Sequence, residues 1–132
     1  MTPARIFAAN PATTYRSVDL AGRTGAADSH QLVGLLYEEC VRALRTAAWA
    51  VEQGRLAQRS ERVSRATAIL FALESGLDFE RGGELSRTLA TLYHGLRQQA
   101  VDASLGSDPR PFRDVADTLE DVAGAWASVR AA

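Results

Sequence analysis

Two histidines, one cysteine and sixteen carboxylates are the groups in this chain that could carry acid–base, nucleophilic or metal chemistry. Their spacing argues against each. A di-iron helical bundle needs inward Glu-x-x-His pairs, and neither His30 nor His94 has a carboxylate three residues before it. Gly82-Gly83 sits in no G-x-x-x-x-G-K phosphate loop, and the chain contains no lysine. No Gly-x-Ser-x-Gly nucleophile elbow occurs. Cys40 falls on the apolar face of a predicted helix and reads as a small buried hydrophobe. Carboxylates fall beside arginines at helical spacing, Glu38 with Arg42 and Glu61 with Arg65, where such pairs support helices weakly. The reading is a protein that is not an enzyme and needs no cofactor or metal.

What remains is surface hydrophobicity. On a wheel of 100° per residue, Leu35 and Trp49 fall nearly opposite the Leu36/Cys40/Leu44 stripe, with Arg42 on the same outer line. Ile69 and Phe71 flank the inner stripe of the next helix on both sides, and Tyr93 sits at a stripe edge on the third. Large apolar side chains off the core stripes mark partner sites. The candidate partner-binding residues are therefore Ile69, Phe71 and Tyr93, then Leu35 and Trp49, with Tyr15 from the N-terminal segment.

Four elements must position these residues. The first helix starts at Asp28 or Ser29, both good N-caps, and stops at Gly54. Its apolar residues Val33, Leu36, Tyr37, Cys40, Val41, Leu44, Ala47, Ala48 and Val51 follow the amphipathic rhythm. The second runs from about Ser60 to Leu77, with Val63, Ala66, Leu70, Leu73 and Leu77 inward. The third runs from about Gly83 to Leu105, with Leu85, Leu89, Leu92, Leu96 and Ala100 inward. Gly106-Ser107-Asp108-Pro109 supplies a stop, a cap and a first-turn proline. The fourth carries Phe112, Val115, Leu119, Val122, Trp126 and Val129, alternating three and four residues apart. Four long helices with short links predict an all-α, antiparallel four-helix bundle over 28–132. Residues 1–27, broken by Pro3, Pro11, Gly22 and Gly25, read as a short mobile arm with a helical turn or two, whose Ile6, Phe7 or Tyr15 covers part of an apolar groove.

Composition narrows the partners. The formal net charge is −1, which gives no broad basic field for nucleic acid. No stretch reaches the ~20 apolar residues of a membrane span, Met1–Leu20 lacks the apolar run of a signal peptide, and a lone cysteine suits a reducing compartment. The expected location is the cytoplasm.

The corner Ser75 to Glu84, with Leu77-Asp78 and Gly82-Gly83-Glu84, is followed at helical spacing by Leu92-Tyr93. Upstream lie Asn10-Pro11…Tyr15, Leu32…Leu36-Tyr37-Glu38 and Ala43-Leu44-Arg45…Val51-Glu52; downstream lies Ala125-Trp126. In order and spacing this set resembles the FliS-type flagellar secretion chaperone family over nearly the whole chain. One departure is Gly25-Ala26-Ala27-Asp28-Ser29-His30, where many members carry a Thr-x-Ser-Pro cap. The resemblance implies a cytosolic export chaperone that binds the C-terminal disordered segment of flagellin, prevents premature polymerisation and delivers it to the flagellar export gate. An alternative reading is a helical scaffold or adaptor that self-associates along the Leu35/Trp49 line; it would dimerise alone, whereas a chaperone forms a one-to-one complex with a client segment.

Overall fold

Why the first helix begins where it does is visible in its cap. In the computed structural model, which describes residues 28–130, the Asp28 carboxylate accepts a hydrogen bond from the Gln31 backbone N–H at 2.7 Å, and the Gln31 side chain accepts from the Asp28 N–H at 3.0 Å. This reciprocal box satisfies two donors that a helix N-terminus otherwise leaves open. Helix α1 spans Ser29–Glu52. It ends where Gly54 takes φ +68°; Arg55 N–H reaches back to Ala50 O and Gly54 N–H to Val51 O, the double closure of a Schellman stop.

Helix α2 spans Leu56–Ser75, α3 Phe79–Ala103 and α4 Arg110–Arg130. The second therefore begins a turn before the expected Ser60, because the Schellman stop hands the chain directly into it. The third begins at Phe79 and not at Gly83. Asp78 caps it by accepting from Arg81 N–H at 3.0 Å, one turn forms, and Gly83 then breaks the helix with φ 52°, ψ −125°. A side chain disfavours that backbone conformation, so the glycine is required there. Ser86, fully buried, donates to Asp78 O at 2.9 Å and ties the kink together.

Pairings run in opposite directions between α2 and α3 and between α1 and α4, and the short links at 53–55 and 104–109 turn α2 back on α1 and α4 back on α3. Cys40 meets Ala66 and Glu39 meets Arg65 between α1 and α2; Glu74 meets Arg97 and Arg59 meets Gly106 between α2 and the far end of α3. Between α1 and α4, His30 meets Trp126, Arg45 meets Asp117 and Glu120, and Glu52 meets Arg113. Helix α1 packs broadly on both α2 and α4, α3 packs on α2, and α3 meets α4 most thinly; α1 and α3 are diagonal. The result is the antiparallel four-helix arrangement that the periodicity predicts.

The core holds Leu36, Leu44, Leu70, Leu73, Leu96, Leu119 and Trp126, all buried. At about 1.5–3 kcal/mol per fully buried large apolar side chain, such residues supply the main driving force for folding. Leu92 and Val122, expected in the same core, are only half-buried against it. Leu85 and Val129, expected inward, are 41% and 42% exposed. All four lie on α3 or α4, the helices that meet least.

Candidate functional site

The thin side of the bundle is a groove. Its wider end, formed by the C-terminal half of α3, the link and the start of α4, opens into a cavity of about 720 Å³. Gln99 and Ala103 line it from α3, Pro111 and Asp114 from α4. Seven residues are about two helical turns, so Leu92 and Leu85, seven and fourteen residues before Gln99, continue the same line of α3. Val122 and Val129, eleven and eighteen residues after Pro111, continue the α4 line by about three and five turns. Because the helices are antiparallel, Leu85 and Val129 share one end and Leu92 and Val122 the middle. Apolar side chains thus line half the length of this face, and residues of polar type gather at the cavity end, whose lining surface is still mostly apolar.

Electrostatics reinforce the asymmetry. Ion pairs tie α1 to α2 through Glu39 and Arg65, α1 to α4 through Arg45 with Asp117 and Glu120, and α2 to α3 through Glu74 and Arg97. Among the described residues none joins α3 to α4. With the fewest contacts and, among the described residues, no ion pair across it, this is the least tightly closed face of the bundle.

The sequence-predicted residues divide. Ile69 and Tyr93 have no exposure at all, which corrects their placement on a surface flank. Ile69 is enclosed as a member of the core cluster that α2 shares with α1. Tyr93 points across the diagonal, where its hydroxyl hydrogen-bonds that of Tyr37, so a residue at a stripe edge becomes a core residue. Burial pushes the Tyr37 hydroxyl up from 10.0 to about 12, the hydrogen bond with Tyr93 opposing the shift.

Phe71 and Trp49 stay on the surface, 57% and 41% exposed. Each carries a guanidinium over its ring, Arg97 at 5.2 Å from Phe71 and Arg55 at 4.9 Å from Trp49, a cation–π cover that shields part of an apolar face. Leu35 is half-buried against the core. These positions lie on α1 and α2, and the structure does not gather them with the α3–α4 groove. Tyr15, Ile6 and Phe7 lie outside the described residues.

Sequence reasoning missed two features. His30, weighed in the sequence only as a metal ligand and set aside, stacks on Trp126 with ring centroids 4.4 Å apart and planes 12° from parallel. The α3–α4 groove was missed because a heptad seam says that a face is apolar, not that a partner covers it; Gly95, in the middle of α3 and lining the cavity, is the one local signal. Cys40 is buried with its Sγ 3.5 Å from Ala66 O, and burial pushes its thiol up, which suits packing and not attack. Among the described residues no group of His, Cys, Asp or Glu is placed to hold a metal ion, and no helix is long and apolar enough to cross a membrane.

A family model described as flagellar protein FliS matches residues 11–132. The chain belongs to the FliS family. The match takes in Tyr15 as well as the whole described bundle. Among relatives of this FliS-family chain, the flagellar secretion chaperone FliS of Salmonella typhimurium is 30% identical over 125 residues, 94% of this chain and 93% of its own. That of Vibrio cholerae is 29% identical over 112 residues, covering 85% and 82%. That of Bacillus subtilis is 26% identical over 117 residues, covering 89% and 84%.

Proposed function

We propose that this chain is a cytosolic flagellar export chaperone that holds the C-terminal segment of flagellin, keeps it from polymerising before secretion and delivers it to the export gate. The relatives are named flagellar secretion chaperones, which supports an export-chaperone role. The observation that carries the mechanism is the α3–α4 groove, with Leu85 and Val129 exposed and Leu92 and Val122 half-buried along it. An assembly segment that is amphipathic exposes an apolar face when alone. A groove of this shape receives such a face as a helix laid between two helices. Ordering the segment costs free energy that offsets part of the apolar gain, so binding stays reversible without a nucleotide or a cofactor. Phe71, and Trp49 with Leu35, are the further accessible positions that a wrapping segment would touch; Ile69 and Tyr93 act by shaping the core beneath.

Calorimetry of the full chain with a flagellin C-terminal segment tests this. One-to-one binding with a negative heat-capacity change is expected. Leu85→Asp and Val129→Asp, each shown folded by circular dichroism, are expected to weaken it about ten-fold or more, or ~1.4 kcal/mol. Phe71→Asp and Trp49→Asp serve as comparisons and should lose less. Wild-type affinity in both groove variants would overturn the groove assignment. A wild-type chain that ignores the segment, or that only self-associates, would overturn the function.

A further inference from the structure

The bundle end that carries the 53–55 and 104–109 links exposes apolar side chains where three helices terminate. Leu105 is 85% exposed and Leu56 61%, with Trp49 and Val101 at 41% and 40%. The Arg59 guanidinium donates to the Gly106 carbonyl at 3.0 Å, which brings the first turn of α2, with Leu56, to the α3–α4 link, with Leu105. Val101 stands about one turn before Leu105, and the Arg55 guanidinium lies over the Trp49 ring at 4.9 Å. Leucines this exposed stand out from the surface and wall no groove; none of the four apolar residues lines the α3–α4 cavity. The charges at this tip are as distinctive. Among the described side chains, Arg55 and Arg59 are the arginines with no carboxylate within ion-pair distance. Arg55 rests on a ring and Arg59 on a backbone carbonyl, and the Arg59 Nε has no partner. The nearby carboxylates are turned elsewhere. Glu52 is held by Arg113 and Asp108 by Arg110, while Asp102 accepts the Gln98 amide and faces the cavity. No acidic residue stands in the first turn of α2. Positive charge at the tip is thus left unneutralised beside an exposed apolar patch, although the whole chain has a net charge of −1.

We infer that this tip docks on an anionic lipid surface: Leu56 and Leu105 enter the boundary between headgroups and acyl chains, Trp49 lies at the interface, and Arg55 and Arg59 meet the lipid phosphates. Charge complementarity selects the occupant, because lipid headgroups supply the anions that the chain itself withholds from the two arginines. Shape agrees with it. Protruding leucines bury best against a surface that deforms around them, which a bilayer does. An indole suits the interface because it is apolar with one polar edge. The arginine stems can lie along the apolar patch while their heads stay in the headgroup layer. The chain would rest on the bilayer without crossing it, since no described helix is long and apolar enough to span. Attachment is weak and reversible: one arginine near an anionic surface is worth about five-fold in partitioning. Leu85 and Val129 lie at the other end of the bundle, so docking leaves the apolar end of the α3–α4 groove open. The inference is independent of what that groove holds.

The full chain is mixed with vesicles of phosphatidylcholine alone and of phosphatidylcholine with phosphatidylglycerol, and partitioning is read by sedimentation. Partitioning into the anionic vesicles is expected to exceed that into the neutral ones by about ten-fold or more and to fall as salt is raised. Trp49 emission should shift to the blue and be quenched by brominated acyl chains, while the buried Trp126 changes little. Leu56→Asp/Leu105→Asp should reduce partitioning by about ten-fold or more. Arg55→Gln/Arg59→Gln should remove most of the preference for anionic vesicles. Phe79→Asp and Arg87→Gln, exposed positions outside the tip, should partition like the wild type. Circular dichroism confirms the fold of each variant. A wild-type chain that stays off the anionic vesicles overturns the inference. So do tip variants that partition like the wild type, or equal partitioning into both kinds of vesicle. Binding of a synthetic leucine–glutamate helix through the same residues, with the vesicles left unbound, would assign the tip to an acidic protein segment and overturn the lipid assignment.

Discussion

His30 and Trp126 exchange hydrogen bonds across one end of the bundle. The indole Nε1–H donates to the His30 carbonyl at 2.8 Å, and His30 Nε2 donates to the Trp126 carbonyl at 2.9 Å. A carbonyl only accepts, so this contact fixes the ring proton on Nε2. The stacked rings then join the first turn of α1 to the last turns of α4, and Tyr37 meets the indole edge-on at 6.3 Å.

Trp126→Phe keeps most of the apolar contact and deletes the indole donor, removing one of the two hydrogen bonds that join α1 to α4 at this end. It should destabilise by about 0.5–1.5 kcal/mol. Trp126→Ala should lose about 3–5 kcal/mol. Urea melts with an unchanged slope and a lower midpoint are the expected record; equal midpoints for wild type and Trp126→Phe would remove the pin from the account.

Leu119→Ala, at a fully buried site, should cost about 2–5 kcal/mol. Leu92→Ala, at the half-buried wall of the groove, should cost less than half of that yet weaken client binding more. Denaturant melts and calorimetry on the two variants separate core from groove. Equal stability losses would mean that α3 and α4 are closed in solution.

Tyr37→Phe and Tyr93→Phe each remove the buried hydroxyl–hydroxyl hydrogen bond and should cost about 0.5–1.5 kcal/mol apiece, while the double variant should cost less than the sum. The pH dependence has a definite sign. Tyr37 ionises near 12 when folded and near 10.0 when unfolded, so above pH 10 the unfolded state releases its proton first. Its contribution is full below pH 10 and is lost as pH rises toward 12. Midpoints measured across that window should fall more steeply for wild type than for Tyr37→Phe.

Gly83 and Gly95 should respond in opposite ways to alanine. Gly83→Ala forces a side chain into φ 52°, ψ −125° and should destabilise by about 1–3 kcal/mol. Gly95 sits in regular helix with open space around it, so Gly95→Ala should stabilise by about 0.5–1 kcal/mol. Because Gly95 lines the cavity, the same change should reduce client affinity, a gain in melting temperature set against a loss in calorimetry.

Much of this molecule was legible in one dimension. Local rules acting within a few residues determined that Asp28 caps, that Gly54 stops and that the four stripes are apolar. Those rules concern the backbone of one helix and its nearest solvent, so the sequence carries them in full, and the family motifs lie on the same elements. Which apolar flank is covered is another matter. Ile69 and Phe71 sit on either side of one stripe and look alike on a wheel; the assembled core encloses Ile69, while Phe71 is left to the Arg97 guanidinium. Tyr93 and Tyr37 meet only because α1 and α3 are diagonal, and His30 finds Trp126 only because α1 and α4 run antiparallel in register. The open groove depends on how closely α3 approaches α4, an interhelical distance set by the packing of all four helices at once, and no single stripe encodes it.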